Sequence, residues 1–317
     1  MVQWLERLIG CYYVLIMSKV SAVEKAETKS SLLVKLVDYG RAFLELGKFR
    51  LSLSVAFSAL AAYFIAIDII SWQQVIMLGI GGLLLAMSAN ALNQYLERDI
   101  DALMDRTANR PLVTGLLSPS MAIAYVIFSV SIALILLGML CWCAALLGVI
   151  AWVTYILGYT FLKRRTARAV ELGSLSGALP AAIGVLVASP ESWILASLFF
   201  AVQFVWQYPH TWIILKLYES QYDRIGTKIR APKRLNSALL ITSVVPPLVM
   251  IPVGLIVGLN WLAVVSVSAL FIFWIAKVWF AFNKKGDERS LRKLLIVNLL
   301  MLPLHYSLFI LLKFIGI

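Results

Sequence analysis

Residues 74–112 read QVIMLGIGGLLLAMSANALNQYLERDIDALMDRTANRPL, and the fold follows from how that stretch begins and ends. Residues 74–92 hold no charge and show no alternation of polar and apolar positions. As a helix rising about 1.5 Å per residue they are long enough to cross a hydrocarbon layer of about 30 Å. The run then continues into Asn93, Glu97 and Asp101, spaced four apart. Four-residue steps advance about 400°, so the three fall within an arc of about 80° and form one stripe. A membrane helix thus carries an acidic face at its mouth.

The rest of the chain repeats the first half of that pattern. Of 317 residues, 62% are hydrophobic and only 14% charged, where soluble domains carry about 25% charged residues. A soluble enzyme is excluded, because too few polar side chains exist to wet its surface. Long runs without alternation also exclude an outer-membrane barrel. Nine spans are expected, at 51–69, 74–92, 119–138, 140–161, 171–189, 193–216, 237–257, 261–282 and 294–316. The reading is an all-α polytopic membrane protein, nine helices around a central cavity, with residues 1–45 as a cytoplasmic N-terminal segment and 46–317 as the membrane domain.

The net charge of +12 is first a topology signal. Eight Lys/Arg precede span 1, three lie between spans 2 and 3, four between 4 and 5, six between 6 and 7, and five between 8 and 9. That places 26 of 28 basic residues on one side; Lys277 and Lys313 are the exceptions. The positive-inside rule puts the N-terminus and these loops in the cytoplasm, and an odd span count puts the C-terminus outside. No nucleic-acid partner is expected, since the charge is spread over loops; the bilayer is the partner. Residues 8–17 are too short to span and suit an interfacial anchor, Met17 offers an alternative start, and 18–38, rich in Ser, Lys and Glu, suit disorder. Cys141 and Cys143 point about 200° apart on a helix and cannot share a metal.

Two carboxylates and an amide on one buried face repel unless a cation lies between them, and oxygen-only donors favour Mg²⁺. Arg106 and Arg110 follow within ten residues, so the pattern suits a metal carrying a phosphate group. Tyr159, Lys163, Arg164 and Arg165 add cations from the loop after span 4. Span 6 holds Gln203, Gln207 and His210 at i, i+4 and i+7, a costly polar stripe unless it faces a cavity or ligand. Pro209 frees the carbonyl of Val205 beside it. Glu219 and Asp223, four apart at the end of span 6, repeat the acid-then-base order. In span 5, Gly173 and Gly177 form a G-x-x-x-G pair suited to close helix packing.

The run Asn93-x3-Glu97-Arg98-Asp99-x-Asp101-Ala102-Leu103-Met104-x-Arg106-Thr107-x-Asn109-Arg110-Pro111-Leu112 resembles the first Asp-rich motif of the intramembrane, UbiA-type prenyltransferases. Lys48-Phe49-Arg50, Tyr159-Thr160-x2-Lys163-Arg164-x-Thr166, Gly177-Ala178-x-Pro180 and Trp206-Gln207-x-Pro209-His210 are similar to the heme-farnesylating branch. The match covers about residues 45–235. The chain departs from that pattern in Glu97 for Asp, Ala169 for Asn, Ala181 for a second Pro, and Gln221-Tyr222 for Asp-Tyr. Either Glu219 or Asp223 substitutes for the missing carboxylate, or the second metal position is weak.

The resemblance implies farnesyl diphosphate and heme B as substrates and Mg²⁺ held by Asn93, Glu97, Asp101, Glu219 and Asp223. It implies Lys163, Arg164, Arg106 and Arg110 on the leaving diphosphate, Tyr155, Tyr159, Trp206 and Tyr208 around an allylic cation, and His210 at the heme. Contact with heme A synthase or with terminal-oxidase assembly factors follows by the same analogy. Two alternatives stay open at this level: the same donor site with an aromatic-acid or quinone-precursor acceptor, and an organic-anion transporter. The charge count itself makes a test. Single cysteines at Ser118 and Asn236, in a background without native cysteines, are expected to react with an impermeant thiol reagent only from the cytoplasmic side, and labelling of either from outside would break the span count.

Overall fold

The computed structural model describes residue 35 and residues 37–105, 107–163, 165–224, 226, 228–285 and 287–316. The expected anchor at 8–17, Cys11, Arg106 and Arg164 lie outside the described residues. Among the described residues nine long helices follow in order: α1 Phe49–Ala66, α2 Trp72–Asp101, α3 Pro119–Leu140, α4 Trp142–Thr160, α5 Ala169–Ala188, α6 Trp193–Leu217, α7 Leu235–Ile256, α8 Trp261–Lys285 and α9 Glu288–Phe314. A six-residue helix, Glu219–Arg224, follows α6. Eight of the nine are long and apolar enough to cross a membrane by length and composition. The other is α6, whose 25 residues have the length but include Gln203, Gln207 and His210, which lower its hydropathy.

The helices pack because small residues let backbones approach, since lipid tails leave no hydrophobic drive between apolar faces. The central helix is α5, two-thirds buried (67%) over its most apolar stretch. Its Ala178, Ala181 and Ala182 face inward, and Gly184 lies so close to α1 that an added Cβ would stand 1.9 Å from the carbonyl oxygen of Ala59. The close approach therefore sits one turn and more beyond the G-x-x-x-G pair. Gly173 and Gly177 make room for side chains instead: a Cβ there would meet Tyr159 at 3.0 Å and Gln207 Oε1 at 2.4 Å.

The ring of helices closes where Lys313 at the end of α9 donates to the carbonyl of Ile65 at 2.8 Å and pairs with Asp68 at 3.1 Å. At that same end α2, α4, α6 and α8 each begin with an exposed tryptophan, Trp72, Trp142, Trp193 and Trp261, the placing expected of an interfacial aromatic belt. The lipid-facing sides carry exposed Ile127, Phe128 and Ile135 on α3 and Phe273 and Phe280 on α8. Gly184→Ala should cost about 1–3 kcal/mol by forcing α1 from α5. A lower melting temperature in detergent would be expected for Gly184→Ala but not for Gly79→Ala, whose Cβ would meet only Leu60, at 3.4 Å and beyond. Equal melting for both would remove the packing argument.

Candidate active site

The acidic stripe at the end of α2 is buried, with Asn93, Glu97 and Asp101 all under a tenth exposed. Each carboxylate meets a base from another segment. Lys163, just past α4, brings its Nζ to 2.5 Å from Glu97 Oε1 and 2.7 Å from Oε2. Arg110, in the turn-rich loop after α2, pairs with Asp101 through Nη1. That loop is folded back by Thr107, whose hydroxyl donates to the Asp101 carbonyl at 2.8 Å. Asn93 donates to Glu97 Oε2 at 3.1 Å and to Thr160 Oγ1 at 3.2 Å, which ties α2 to the end of α4. Burying unpaired carboxylates would be prohibitive, and removing one partner of such a pair costs about 3–5 kcal/mol.

The last seven residues of α4, Thr154–Thr160, wind as a π-helix. Wider turns of this kind are frequent at functional sites, and here the turn sets Tyr155 and Tyr159 in a stack with centroids 5.7 Å apart. The Lys163 ammonium lies 5.6 Å from the Tyr159 ring. Thr160 donates back to the carbonyl of Tyr155, five residues earlier, at 3.1 Å.

Lys48 is a residue that sequence reasoning placed only in a flanking motif. It caps α1 in a left-handed conformation, φ 46°, unusual for a side chain with a Cβ. The preceding turn is clamped: Gln94 donates to the carbonyls of Glu45 and Leu46 at 3.0 and 2.8 Å, and Ser52 to that of Gly47 at 2.8 Å. Desolvation among Arg110, Glu97, Lys163 and Asp101 pushes the Lys48 ammonium down to about 7, with Arg110 the next cause and Glu97 opposing it. Lysine before the first helix was the available signal; its meeting with the acids 49 and 53 positions later was not legible.

Below this polar cluster lies an apolar cavity of about 210 Å³ between α1, α2, α4 and α5. Asn90 and Tyr155 form its polar rim, joined by a hydrogen bond of 3.4 Å, and Asn90 also donates to Ser52 at 3.1 Å. Leu78, Leu85, Leu137 and Ile183 line it farther in, and Gln207 of α6 reaches it. Trp206 and Tyr208 are not among its lining residues. Trp206 donates to the Asn298 carbonyl of α9 at 2.7 Å, and Tyr208 packs on Phe204 and Trp212.

The polar stripe of α6 is largely engaged within the bundle. Gln203 donates to Ser58 at 3.4 Å and accepts from Tyr306 at 3.5 Å, and Gln207 donates to the Ser174 carbonyl at 3.2 Å. His210 stacks on Trp206 with centroids 5.8 Å apart, and its Nδ1 is buried without a partner among the described residues. Glu219 and Asp223 face outward, paired with Lys216 at 2.8 Å and Arg230 at 2.6 Å. Lys216 holds the Glu219 carboxyl below its usual range. Among the described residues neither pairs with nor hydrogen-bonds to the Asn93 stripe. Gln221 between them turns its Oε1 inward, buried and without a partner among the described residues. Ala169, where the resemblance calls for Asn, is fully buried beside Val170, Leu215 and Ile229.

Among the described residues no three His, Cys, Asp or Glu gather as a metal cluster. Two carboxylates and an amide, all oxygen donors on one buried face, do fit a hard divalent cation that fills its remaining positions from a bound anion. Arg110 and Lys163 balance the two acids, and Lys48, whose charged form a nearby anion would favour, adds the cation that suits a phosphate ester.

Residues 55–301 match the UbiA prenyltransferase family. A protein named protoheme IX farnesyltransferase from Christiangramia forsetii is 33% identical over 280 residues, covering 86% of this chain and 93% of its own. Another of that name from Cytophaga hutchinsonii is 31% identical over 281 residues, covering 86% and 97%. A UbiA homologue from Archaeoglobus fulgidus, solved bound to DMAPP and Mg²⁺, superposes with a TM-score of 0.64 at 18% identity, covering 84% of this chain and 98% of that one; this likeness is one of fold. With acids, bases and an apolar chamber arranged as above, the chain belongs to the UbiA prenyltransferase family.

Proposed function

We propose that this protein transfers the farnesyl group of farnesyl diphosphate to a vinyl group of heme B, giving heme O, in a bacterial inner membrane with the N-terminus and the acidic mouth facing the cytoplasm and the C-terminus outside. The observation that carries the reading is that the buried cluster of paired acids and bases lies next to an apolar chamber: Asn90 and Tyr155, hydrogen-bonded to each other, line the chamber, and Asn93 and Thr160, a few residues farther along the same two helices, are joined in the cluster. A diphosphate head and an isoprenoid tail need those two environments side by side. Close relatives named for farnesyl transfer to protoheme IX supply the acceptor.

In this mechanism Lys163 and Arg110 leave Glu97 and Asp101 for the diphosphate oxygens, Lys48 turns to the same oxygens from its desolvated place nearby, and together they neutralise the leaving pyrophosphate. Arg106 and Arg164 belong to the same proposal as further N–H donors to the phosphate oxygens. Mg²⁺ held by Asn93, Glu97 and Asp101 would supply Lewis-acid withdrawal of charge from those oxygens, with Glu219 and Asp223 as a second oxygen pair at the same end of the bundle. As the carbon–oxygen bond ionises, the stacked faces of Tyr155 and Tyr159 lie beside the mouth of the chamber and favour the allylic cation. Trp206 and Tyr208 are proposed to shield the same region from α6. The chamber keeps water from the cation until the vinyl carbon attacks. Water then adds to the heme side and a proton is released, giving a hydroxyethylfarnesyl group. His210, with its unpartnered Nδ1, is the proposed contact to the heme or its propionate.

Membranes containing the protein, given heme B, farnesyl diphosphate and Mg²⁺, should yield heme O by mass analysis of extracted hemes. Glu97→Gln and Asp101→Asn are each expected to lower that rate by about 10²-fold or more while the protein still inserts. Near-normal turnover of either at saturating Mg²⁺ would overturn the metal assignment.

A carboxylate at position 221 would be buried without a partner, which is costly, and this favours the outward acids as the second pair. In a Mg²⁺ titration Glu219→Gln or Asp223→Asn should raise the half-saturating concentration about tenfold, roughly 1.4 kcal/mol. Gln221→Asp should leave it nearly unchanged. A clear gain from Gln221→Asp with silent Glu219 and Asp223 variants would give that role to position 221.

A further inference from the structure

Lys163 stands just past the last turn of α4, where a helix runs out of its own donors. Its N–H still reaches back to the Tyr159 carbonyl at 3.0 Å, but its own carbonyl takes a donor from far along the chain: the N–H of Lys228, also at 3.0 Å. The next residue, Ile229, is 1% exposed, seated among Ala169 and Val170 at the start of α5 and Leu215 near the end of α6, with Tyr159 and Leu162 packed against the same cluster. Its neighbours Lys228 and Arg230 are both exposed. One apolar side chain therefore anchors this stretch across the ends of three helices, and the anchor lies one residue from the hydrogen bond to Lys163.

A lysine ammonium rides on a flexible four-carbon stem, so its aim depends on how firmly its backbone is held. We propose that Ile229 is a positioning residue: seated in its pocket, it keeps the Lys228 N–H on the Lys163 carbonyl and so fixes the Lys163 ammonium against Glu97. The kinetic consequence rests on the diphosphate chemistry proposed above. The geometric claim does not.

Two readouts on the full chain in detergent separate the two. The first is the rate at which an amine-reactive reagent modifies Lys163, followed by peptide mass, with Lys313 at the opposite end as internal reference. Ile229→Ala should expose Lys163 to modification about tenfold faster and Ile229→Leu should restore the slow rate, on the scale that small misplacements cost. The second is steady-state kinetics, in which Ile229→Ala should raise KM for farnesyl diphosphate and leave KM for heme B unchanged, again with rescue by Ile229→Leu. An unchanged Lys163 rate in Ile229→Ala, or equal acceleration at Lys163 and Lys313, would overturn the proposal. If the wild-type protein makes no heme O, the functional reading fails while the modification rates still decide the role of Ile229.

Discussion

Two carboxylates at the mouth of a membrane helix need counter-charges, and the rest of the site is arranged around meeting that need. Glu97 is answered by Lys163 and Asp101 by Arg110, each base arriving from outside α2. The attraction between such charges grows as water is excluded, but so does the cost of leaving one alone. The pairing therefore pins the loop after α2 and the end of α4 to one helix face. In the proposed reaction it also keeps ready the cations that a diphosphate requires. An arriving anion would exchange partners with groups already in place, leaving little reorganisation for the reacting state.

The chamber below works by the opposite rule. Its walls are mostly Leu, Ile, Val, Ala and Pro side chains with glycine backbone between them, and its few polar groups come from Asn90, Trp152, Tyr155, Ser176 and Gln207. Space for it comes from glycine: Gly173 and Gly177 on α5 leave room for Tyr159 and Gln207, while Gly184 farther along lets α1 press directly on α5. One helix thus serves the site at one end and bundle packing at the other. The π-turn of α4 is the second device, because it sets Tyr155 and Tyr159 as a stacked pair between chamber and charge cluster.

Polar residues inside the bundle divide into those that join helices and those left for chemistry. Gln203 links α6 to Ser58 of α1 and Tyr306 of α9, and Trp206 holds the Asn298 carbonyl. These bonds meet the demand that buried polar groups be satisfied where no water reaches. His210 Nδ1, like His305 Nε2, has no partner among the described residues, and of the polar stripe on α6 it is His210, not the glutamines, that carries the acceptor role in the proposed reaction.

Hydropathy and helical period are local properties, so the spans, the shared face of Asn93, Glu97 and Asp101 and the one-sided distribution of bases were legible from residue order. The polar α6 was legible as well, although by apolarity alone it falls short of a span. Partnership across helices is not local, because it depends on register and rotation that no single segment encodes. That Lys163 answers Glu97 across 66 positions, that a left-handed turn brings Lys48 to the acids, and that Gly184 rather than the G-x-x-x-G pair makes the close approach were decided by packing. The stripe of Gln203, Gln207 and His210 shows the division in one helix. Its spacing revealed that the three share a face, and only the neighbouring helices determined which of their hydrogen bonds were already taken.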